Sequence, residues 1–290
     1  MFMQKKTIFY KTLYSLPNYI HFNFIFLINC IRFKKKYYLL RYFQKSTFNE
    51  FINNFKAVDV TRKSIFSDKL KLKQNLKELF EIEVNTATIL HVFSSENDLS
   101  NFDFSALSKS QYLIKANHGS GMNRFYDVGK LPTRNDLMEL TQWFNFPSHL
   151  SSREIHYSLI EKKIFVEASL GENLSDYKVY CYKGCCSIIQ VDVDRFSNHK
   201  RAIFNKNWQR LNMNYVYNQP EVSPQEPFLL GEMLKKSNEI AINFPFVRID
   251  WYVAENQLYL GELTFHPEGG LGPFDSKNED KQFLEMLIRR

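Results

Sequence analysis

The sequence predicts an α+β protein whose C-terminal half consists largely of antiparallel strands. Residues 246–253, FVRIDWYV, alternate between two faces, which is typical of a strand, and a second run of this kind follows after a short polar break. Residues 67–82 and 133–144 instead begin with side chains that cap helices. With 290 residues, of which 44% are apolar, the chain is long enough for a sizeable core or for two adjoining subdomains.

The remaining elements follow from local signals along the chain. Ser67 and Asp68 are capping candidates for the first of these helices, and Thr133, with Asp136 three residues later, is the candidate for the second. Between them, QYLIKANHGSGMNRFYDVG predicts a strand, a glycine-containing turn and a second strand. Further along, the sequence predicts strands in KIFVEASL, DYKVYCYKG and CSIIQVDVDR, and a helix in PQEPFLLGEMLKKSNEIAI.

The positive charge of the chain is concentrated at its N-terminus. The net charge is +7, and residues 1–49 hold nine Lys and Arg without a single Asp or Glu, which leaves −2 for the rest of the chain. This distribution argues against a uniformly basic protein that binds nucleic acid.

Read as a helix, the segment NYIHFNFIFLINCIRF places five apolar side chains on one stripe, and a basic run follows it. The stripe consists of Ile20, Phe24, Leu27, Ile28 and Ile31. The apolar stretch is too short and too often interrupted by polar residues to span a bilayer. Two interpretations remain open: a helix packed on its own domain with a solvated charged end, and a helix that rests on an anionic membrane surface.

The four cysteines, Cys30, Cys181, Cys185 and Cys186, form no paired C-x-x-C arrangement. In a chain of this length their spacing predicts neither a zinc site nor a disulfide framework. We therefore expect buried free thiols, as in a reducing cytoplasm.

The clearest chemical signal lies in the predicted hairpin FVRIDWYVAENQLYLGELTFHPEGG. A loop centred on Asn256 puts Asp250 directly opposite Glu262. Two carboxylates directly opposite each other in a hairpin lie close enough to repel, so their charges need compensation. Arg248, on the same strand face, would compensate them in a purely structural cluster, whereas a divalent cation held by Asp250, Glu262 and Thr264 is the functional alternative.

A second candidate is the turn within LIKANHGSGMN. Lys115 ends an apolar strand, and Gly119, Ser120 and Gly121 follow it. Backbone amides freed by glycines can cradle phosphate oxygens, and a lysine can neutralise them. The pattern is neither a Walker A loop nor a dinucleotide fingerprint, so a turn with an incidental lysine remains an alternative. We assign no catalytic role to His118.

Charged residues also mark the strands that follow. Glu167 ends one apolar strand, and Asp176 and Lys178 share a face of the next, where they suit the ribose and phosphates of a nucleotide. An exposed ion pair gives the same pattern. Arg195, after the run VDVD, has a planar fork that can bind a carboxylate or a phosphate at two points.

The order of these features resembles the nucleotide site of ATP-grasp enzymes. VRIDWYVAENQLYLGELTFHPEGG is similar to the metal-binding end of D-alanine:D-alanine ligases, except that Thr264 stands where an asparagine is usual. From Thr47 to the C-terminus the chain more closely resembles the TupA-like ATP-grasp family, named for teichuronopeptide biosynthesis and found among bacterial surface-polysaccharide genes. The motifs that carry this resemblance are TFNE, SDK, IKANHGSGMN, VEASL, DYKVYCYKG, VDVDR, FVRIDWYV and YLGELTFHPEGGLGPF.

The resemblance implies an ATP-grasp fold, in which two α+β subdomains hold ATP between them, preceded by a mostly helical N-terminal region. The implied segments are a basic aromatic N-terminal segment (1–46), a helical region (47–110), a small subdomain (111–166) and a large subdomain with the metal site (167–290).

The resemblance also implies roles for individual residues. Lys115 and Lys178 would contact the phosphates of ATP, and the strand around Glu167 would meet the adenine. The full nucleotide-binding set is Lys115, Gly119, Ser120, Gly121, Glu167, Asp176 and Lys178, and the set that would hold magnesium is Asp250, Glu262 and Thr264. Arg195 and Arg248 would steady an oxyanion during catalysis.

The function expected on this basis is an ATP- and Mg²⁺-dependent carboxylate–amine ligase of capsular or other cell-surface polysaccharide biosynthesis, with an acyl-phosphate intermediate and an amide product. Its partners would be a sugar or uronic-acid carboxylate and an amine such as an amino acid, and no nucleic acid. We expect a cytoplasmic location, with peripheral contact between the basic N-terminal segment and the inner face of the membrane. The alternatives are a phosphotransferase or glycosyltransferase of the same pathway and a non-catalytic nucleotide-binding module.

Overall fold

The computed structural model describes residues 2–171, 174–194 and 198–289. The helices of these residues are α1 (Phe2–Tyr14), α2 (Asn18–Arg32), α3 (Phe48–Phe55), α4 (Val60–Ser67), α5 (Lys69–Phe80), α6 (Glu96–Asn101), α7 (Arg134–Asn145), α8 (His149–Ser152), α9 (Leu230–Ala241) and α10 (Lys277–Ile288). The strands are β1 (Ile89–Phe93), β2 (Tyr112–Ala116), β3 (Asn123–Tyr126), β4 (Ile164–Ala168), β5 (Asp176–Tyr182), β6 (Cys185–Val193), β7 (Lys200–Asn205), β8 (Phe246–Ala254) and β9 (Gln257–Thr264). Among the described helices, none is both long and apolar enough to cross a membrane.

The strands form two sheets, and this confirms the predicted α+β class. One sheet has four strands in the order β1-β4-β2-β3, and the other has five in the order β7-β6-β5-β8-β9. All neighbouring strands in both sheets are antiparallel. The limits implied at 110/111 and 166/167 do not coincide with this architecture. β1 lies inside the segment expected to be helical, and β4 spans the second limit, so the small sheet draws on a longer stretch of chain than expected.

The five-stranded sheet has one apolar face, which packs against α5 and α9. The side chains in this layer include Val179, Ile189, Val191, Val247, Ile249 and Trp251 from the strands, Leu72 and Leu76 from α5, and Met233 and Ile240 from α9. Each large apolar side chain buried in this way stabilises the fold by roughly 1.5–3 kcal/mol relative to exposure.

The opposite face of the same sheet is divided into two parts. Near the turn between β5 and β6, Tyr180, Ile188 and Phe246 pack against α3 and α10, where Phe48 and Phe283 are fully buried. The rest of this face carries charged side chains and forms one wall of the candidate site. Polar residues can therefore lie on this sheet without interrupting its core.

Local caps fix the start of α5, which borders the site, and of α7, which packs on the four-stranded sheet. Asp68 accepts hydrogen bonds from the backbone N–H groups of Leu70 and Lys71 at the start of α5. Thr133 and Asp136 form a capping box at the start of α7. Both caps confirm the predictions from sequence. α7 then packs on the four-stranded sheet through residues that include Leu140 and Trp143.

α2 packs on the protein through a different face from the predicted stripe. Phe22, Phe26 and Cys30 are buried against Leu40 and Leu271. The stripe of Ile20, Phe24, Leu27, Ile28 and Ile31 lies away from this contact, and its side chains are 38–70% exposed. The helix itself is confirmed, and it does pack on its own domain, but the stripe does not take part in that packing.

The hairpin of β8 and β9 confirms the pair Asp250 and Glu262, which lie directly opposite each other. The turn consists of Glu255 and Asn256, both with positive φ, as a two-residue hairpin turn with the native twist requires. The centre of the turn therefore lies between Glu255 and Asn256, half a residue before the centre predicted at Asn256.

A β-bulge restores the predicted pairing of the two acids. Trp251 pairs with Leu260, whereas Asp250 pairs with Glu262, so Gly261 is the extra residue. Strict alternation along β9 would put Leu260 on the face of Glu262, but the bulge turns Leu260 into the apolar core.

The cysteine prediction is correct for Cys30, which is buried and free, and wrong for the pair Cys181 and Cys186. These two residues are joined by a disulfide that links β5 to β6. They lie opposite each other in the hairpin because of a register shift next to its turn, which spacing along the sequence does not indicate. Cys185 is free but exposed.

Gly261→Ala is expected to destabilise the protein by about 1–3 kcal/mol. The added Cβ would lie 2.8 Å from Cε2 of Tyr252 and 3.2 Å from the carbonyl oxygen of Asp250. Gly231→Ala in α9 is the matched control, because nothing lies within 4 Å of its added Cβ, and alanine there should leave stability unchanged or raise it by up to about 1 kcal/mol. Chemical denaturation measures both, and equal effects would contradict a steric need for glycine at the bulge.

Candidate functional site

A cleft of about 630 Å³ lies between the two sheets. Its wall combines the turn between β2 and β3, the first turns of α5 and the charged part of the five-stranded sheet. Ten of the twelve predicted site residues lie on this wall: Lys115, Gly119, Ser120, Gly121, Asp176, Lys178, Arg248, Asp250, Glu262 and Thr264. The fold thus brings together residues that are far apart in the chain, while their individual roles remain predictions.

The two other predicted residues do not add to this wall. Glu167 is only 3% exposed and lies behind Lys115, whose ammonium group binds its carboxylate. Arg195 falls outside the described residues, so its predicted role as an oxyanion clamp stays a prediction.

A row of charged side chains crosses the five-stranded sheet on its cleft face. The register places Arg201 opposite Asp192, Asp192 opposite Asp176, Lys178 opposite Asp250, and Asp250 opposite Glu262. Lys178 lies at the centre of the row. Its Nζ contacts Asp176 and lies 3.4 Å from Oδ2 of Asp192 and 3.8 Å from Oδ2 of Asp250. Since Asp176 and Lys178 are 2% and 4% exposed, the alternative of an exposed ion pair is wrong.

Arg201, which sequence reasoning missed, binds Asp192 near the edge of this row. Its Nε and Nη2 donate to the two carboxylate oxygens at 2.6 and 3.2 Å, and its Nη1 donates to Oε1 of Glu268 at 3.0 Å. Burial acts to raise the pKa of Asp192, but Arg201 and Lys178 bring this pKa well below its usual range. No local signal marks Arg201, because its partner is known only once β6 and β7 are in register.

Arg248 binds both oxygens of Asp250, with Nε and Nη2 at 2.7 and 2.6 Å. Its Nη2 also donates to Oγ1 of Thr264 at 3.1 Å and lies 3.7 Å from Oε1 of Glu262. Burial raises the pKa of Asp250 to about 6, against the pull of Arg248 and Lys178. Compensation by Arg248, the structural interpretation of the acidic pair, is therefore present, and it holds Asp250 and Thr264 at the cleft wall.

Lys69 connects the two walls of the cleft, and it too was missed. Its Nζ donates to the carbonyl oxygen of Gly119 at 2.7 Å and lies 3.2 Å from Oε2 of Glu262. Burial acts to raise the pKa of Glu262, but Lys69 and Arg248 lower this pKa to about 2. Glu262 is therefore ionised at neutral pH and is held between both sheets.

Lys73, one turn further along α5, is the third missed residue. Its Nζ lies 2.9 Å from Oε2 of Glu167, and the other oxygen of this carboxylate binds Lys115. Burial acts to raise the pKa of Glu167, but the two ammonium groups lower it. Lys69 and Lys73 are four residues apart on one helix, a spacing at which like charges repel. That repulsion is the sequence signal that could have indicated acidic partners.

The turn between β2 and β3 is anchored from behind. Asn117 donates to Oδ1 of Asp68 at 3.0 Å, and Nε2 of His118 lies 3.0 Å from the carbonyl oxygen of Trp143. Burial lowers the pKa of His118 to about 4, so this side chain is neutral and structural. Gly121 has a φ of +74°, in the left-handed region that favours glycine. These anchors therefore fix the shape of the turn.

Glu154, His156 and His266 form a second cluster at the cleft, and their ligand-type atoms all lie within 4.8 Å of one another. Burial lowers the pKa of His156 to about 3 and that of His266 well below its usual range. Nζ of Lys63 lies 3.2 Å from Nε2 of His266, and Lys56 also acts on this imidazole. Asp250 and Glu262 offer oxygen atoms only, so this pair is the stronger candidate for a hard cation such as magnesium.

The chain matches one known family over most of its length. A sequence model described as TupA-like ATPgrasp matches residues 52–288. No protein of curated function matches the sequence.

Several solved structures are similar at low sequence identity. A D-alanine–D-alanine ligase from Bacillus anthracis shares 14% identity over 79% of this chain and 67% of its own, with a TM-score of 0.44. The ATP-grasp ligase PsnB in complex with its minimal precursor shares 12% over 70% and 53%, with a TM-score of 0.38. A D-alanine–D-alanine ligase from Helicobacter pylori shares 16% over 71% and 56%, with a TM-score of 0.38. The chain thus spans between 53% and 67% of the length of these structures.

Lys73→Met is expected to destabilise the protein by about 3 kcal/mol, because Glu167 loses one of the two cations that compensate its buried charge. Lys77→Met is the matched control on the same helix. Lys77 pairs with Glu83 in solvent, so its loss should cause no measurable change. Urea denaturation compares the two variants, and coincident curves would show that Glu167 does not depend on Lys73.

Acid is expected to destabilise the protein through His118. Its pKa is about 4 in the folded chain against an ordinary value of 6.5, so the unfolded chain takes up this proton at a higher pH. The stabilisation is complete above 6.5 and is lost as the pH falls towards 4. Between pH 7 and pH 5, His118 should lower the free energy of unfolding by about 2 kcal/mol. His118→Asn should remove that part of the pH profile, and an unchanged profile would contradict the assignment.

Proposed function

Because the chain belongs to the TupA-like ATP-grasp family, we propose that it is an ATP- and Mg²⁺-dependent ligase that joins a carboxylate to an amine through an acyl phosphate. The proposed carboxylate belongs to a capsular or other cell-surface polysaccharide, or to its precursor. The proposed amine is that of an amino acid or a similar compound. This substrate class follows the name of the family, which refers to teichuronopeptide biosynthesis.

One feature of the cleft carries the proposal. Asp250 and Glu262 stand side by side on one wall, and Lys69, Lys73 and Lys115 line the same cleft. Carboxylates bind a divalent cation, and lysines neutralise phosphate groups. A site for a metal–nucleotide needs both kinds of group within a few ångströms, and this cleft supplies them.

The donor set at the acidic pair fits magnesium. Asp250, Glu262 and Thr264 offer oxygen atoms only, which suits a hard cation. The hydroxyl of Thr264 donates to Oε1 of Glu262 at 3.3 Å, in the position where the resemblance leads us to expect an asparagine. When bound there, magnesium would neutralise charge at the phosphoryl group that is transferred.

Lysines and the glycine turn would hold the phosphates. The side chains of Lys69 and Lys115 are 14% and 20% exposed, so both reach the cleft. Gly119 and Gly121 allow the backbone to approach a ligand closely. Lys178 remains a predicted phosphate contact, but with a side chain only 5% exposed its first role is to neutralise the acids around it.

The remaining wall residues would act on the two co-substrates. The substrate carboxylate attacks the terminal phosphoryl group and yields an acyl phosphate and ADP, and the amine then displaces phosphate to form the amide. Arg248, beside Glu262, would stabilise the oxyanion that develops, and Arg195 keeps the same predicted role. Glu154 offers a carboxylate at the cleft that can accept the proton lost by the amine.

Glu262→Gln is expected to lower kcat/KM for ADP release by about 100-fold or more, because the metal site loses a charge and each 1.36 kcal/mol corresponds to about a factor of ten. ADP and phosphate are measured with a uronic acid and an amino acid present together and separately. Glu255→Gln, in the exposed turn of the same hairpin, is the control and should keep full activity.

The products decide between the candidate reactions. Release of ADP and phosphate that needs both co-substrates, with an amide detected by mass spectrometry, supports the ligase. A stable phosphoester in the phosphorus NMR spectrum would identify a phosphotransferase instead. Binding of ATP without turnover, unchanged in Glu262→Gln, would identify a non-catalytic nucleotide-binding module.

A further inference from the structure

α1 and α2 share an exposed apolar surface that the packing of the protein does not use. We call it the N-terminal apolar face, and it consists of Ile8, Phe9, Ile20, Phe24, Leu27, Ile28 and Ile31, which are 38–70% exposed. The rings of Phe9 and Phe24 lie 6.5 Å apart, so the two helices contribute to one surface. α2 already buries Phe22 and Phe26 against the protein on another side. Apolar residues on a second side of the helix point to a second contact.

The charge of this region has a single sign. Seven basic side chains of α1, α2 and the following segment are exposed: Lys5, Lys11, Arg32, Lys34, Lys36, Arg41 and Lys45. The first acidic residue of the chain is Glu50, which is 1% exposed and bound by Ser46 and the backbone of Arg41. No carboxylate within residues 1–49 therefore balances these cations.

We propose that α1 and α2 dock on the surface of an anionic membrane through the N-terminal apolar face. Exposed apolar side chains together with exposed Lys and Arg are the features of a helix that lies in the lipid headgroup region. Basic residues near an anionic bilayer add to this binding. With 15 residues, α2 is shorter than the ~20 residues that a bilayer requires, so it lies along the surface.

Charge distinguishes the membrane from a second copy of the chain. A symmetric dimer through the N-terminal apolar face would bring two basic surfaces together, because the same patch faces itself across a two-fold axis. The cations would repel each other without any acidic residue from this segment to compensate them. An anionic lipid surface instead supplies the opposite charge.

The docked helices also border the cleft. Ile25, Asn29 and Arg32 of α2 and Tyr10 of α1 lie on its wall. Nδ2 of Asn29 donates to the carbonyl oxygen of Leu271 at 2.9 Å, which fixes α2 to the segment that follows β9. Docking therefore holds this side of the cleft at the lipid headgroups.

This position indicates the form in which the acceptor arrives, an inference that rests on the proposed function. A carboxylate-bearing saccharide attached to a membrane lipid would meet the cleft beside α2 without leaving the bilayer. The acceptor is therefore a lipid-linked saccharide. Its lipid stays in the membrane while its carboxylate enters the site.

Co-sedimentation of the full chain with vesicles tests the docking. The chain should bind vesicles of phosphatidylcholine and phosphatidylglycerol, bind those of phosphatidylcholine alone at least about tenfold more weakly, and lose affinity in high salt. The triple variant Phe24→Ser, Ile28→Ser, Ile31→Ser should lose at least about tenfold in affinity. Its control changes three exposed apolar residues elsewhere, Val222→Ser, Phe228→Ser and Ile242→Ser, and should bind as the original chain does.

A second variant tests the charges without touching the apolar face. Lys34→Gln, Lys36→Gln and Arg41→Gln together should weaken binding to the anionic vesicles and leave the weak binding to neutral vesicles unchanged. Thermal unfolding confirms that each variant is folded. Equal vesicle binding by all variants, or no binding by the original chain, overturns the docking. Self-association of the original chain that the triple serine variant abolishes would assign the face to a second copy instead.

Turnover separates the docking from the chemistry. With a uronic acid coupled to a lipid in anionic vesicles, the original chain should show a higher kcat/KM than with the free uronic acid. The triple serine variant should lose this preference and keep its turnover of the free acid. No preference, together with vesicle binding, overturns the lipid-linked acceptor alone. Absence of any turnover would count against the proposed function. The docking would then be decided by the vesicle co-sedimentation alone.

Discussion

The compensation of buried carboxylates by Lys178 is the interaction on which the rest of the structure depends. Asp176, Asp192 and Asp250 come from three neighbouring strands and lie on one face of the sheet, where each is at most 4% exposed. Like charges in such a place repel strongly unless a cation lies among them. Lys178 supplies it, and Arg201 compensates Asp192 from the far side. A shift of one residue in any of these strands would put the acids into the apolar layer beneath, so the charges also fix the register.

The second constraint is the helix that carries lysines to both walls. α5 begins at Asp68, whose carboxylate caps the helix and also accepts from Asn117 of the glycine turn. Its first turn places Lys69 between Gly119 and Glu262, and its second turn places Lys73 on the buried acid of the small sheet. The apolar side of the same helix packs on the large sheet. One short helix therefore joins core, turn and both acidic groups, so the relative position of the two walls is set by side chains that also face the cleft.

The sequence predicted what depends on neighbours in the chain and failed where the partner is distant. Caps, hairpins and the acidic pair follow from a few adjacent residues, yet Asp250 meets Glu262 only because the offset of the turn and the bulge at Gly261 cancel. Neither is visible in an alternation pattern. Lys73 and Arg201 were missed because a lysine or arginine in an element is ordinary until its carboxylate is located. The apolar stripe of α2 was found, but its direction depends on which of two apolar sides the rest of the protein covers.

The acids of the cleft are paired with cationic side chains, and this pairing also explains how a buried site can exchange ligands. Glu262 lies near Lys69, Glu167 near Lys73 and Lys115, and Asp250 near Arg248, so every one of these acids has a cationic neighbour in the structure. In the proposed function, phosphate oxygens would take over the lysines while a metal ion takes over the acids. Each group would then exchange one partner for another of the same charge sign. Leaving a charge unpaired in such a site costs several kcal/mol, so an exchange of partners of the same sign lowers the electrostatic cost of accepting a highly charged ligand. A cleft lined by one sign of charge would bind the nucleotide more tightly but would repel itself in the absence of ligand.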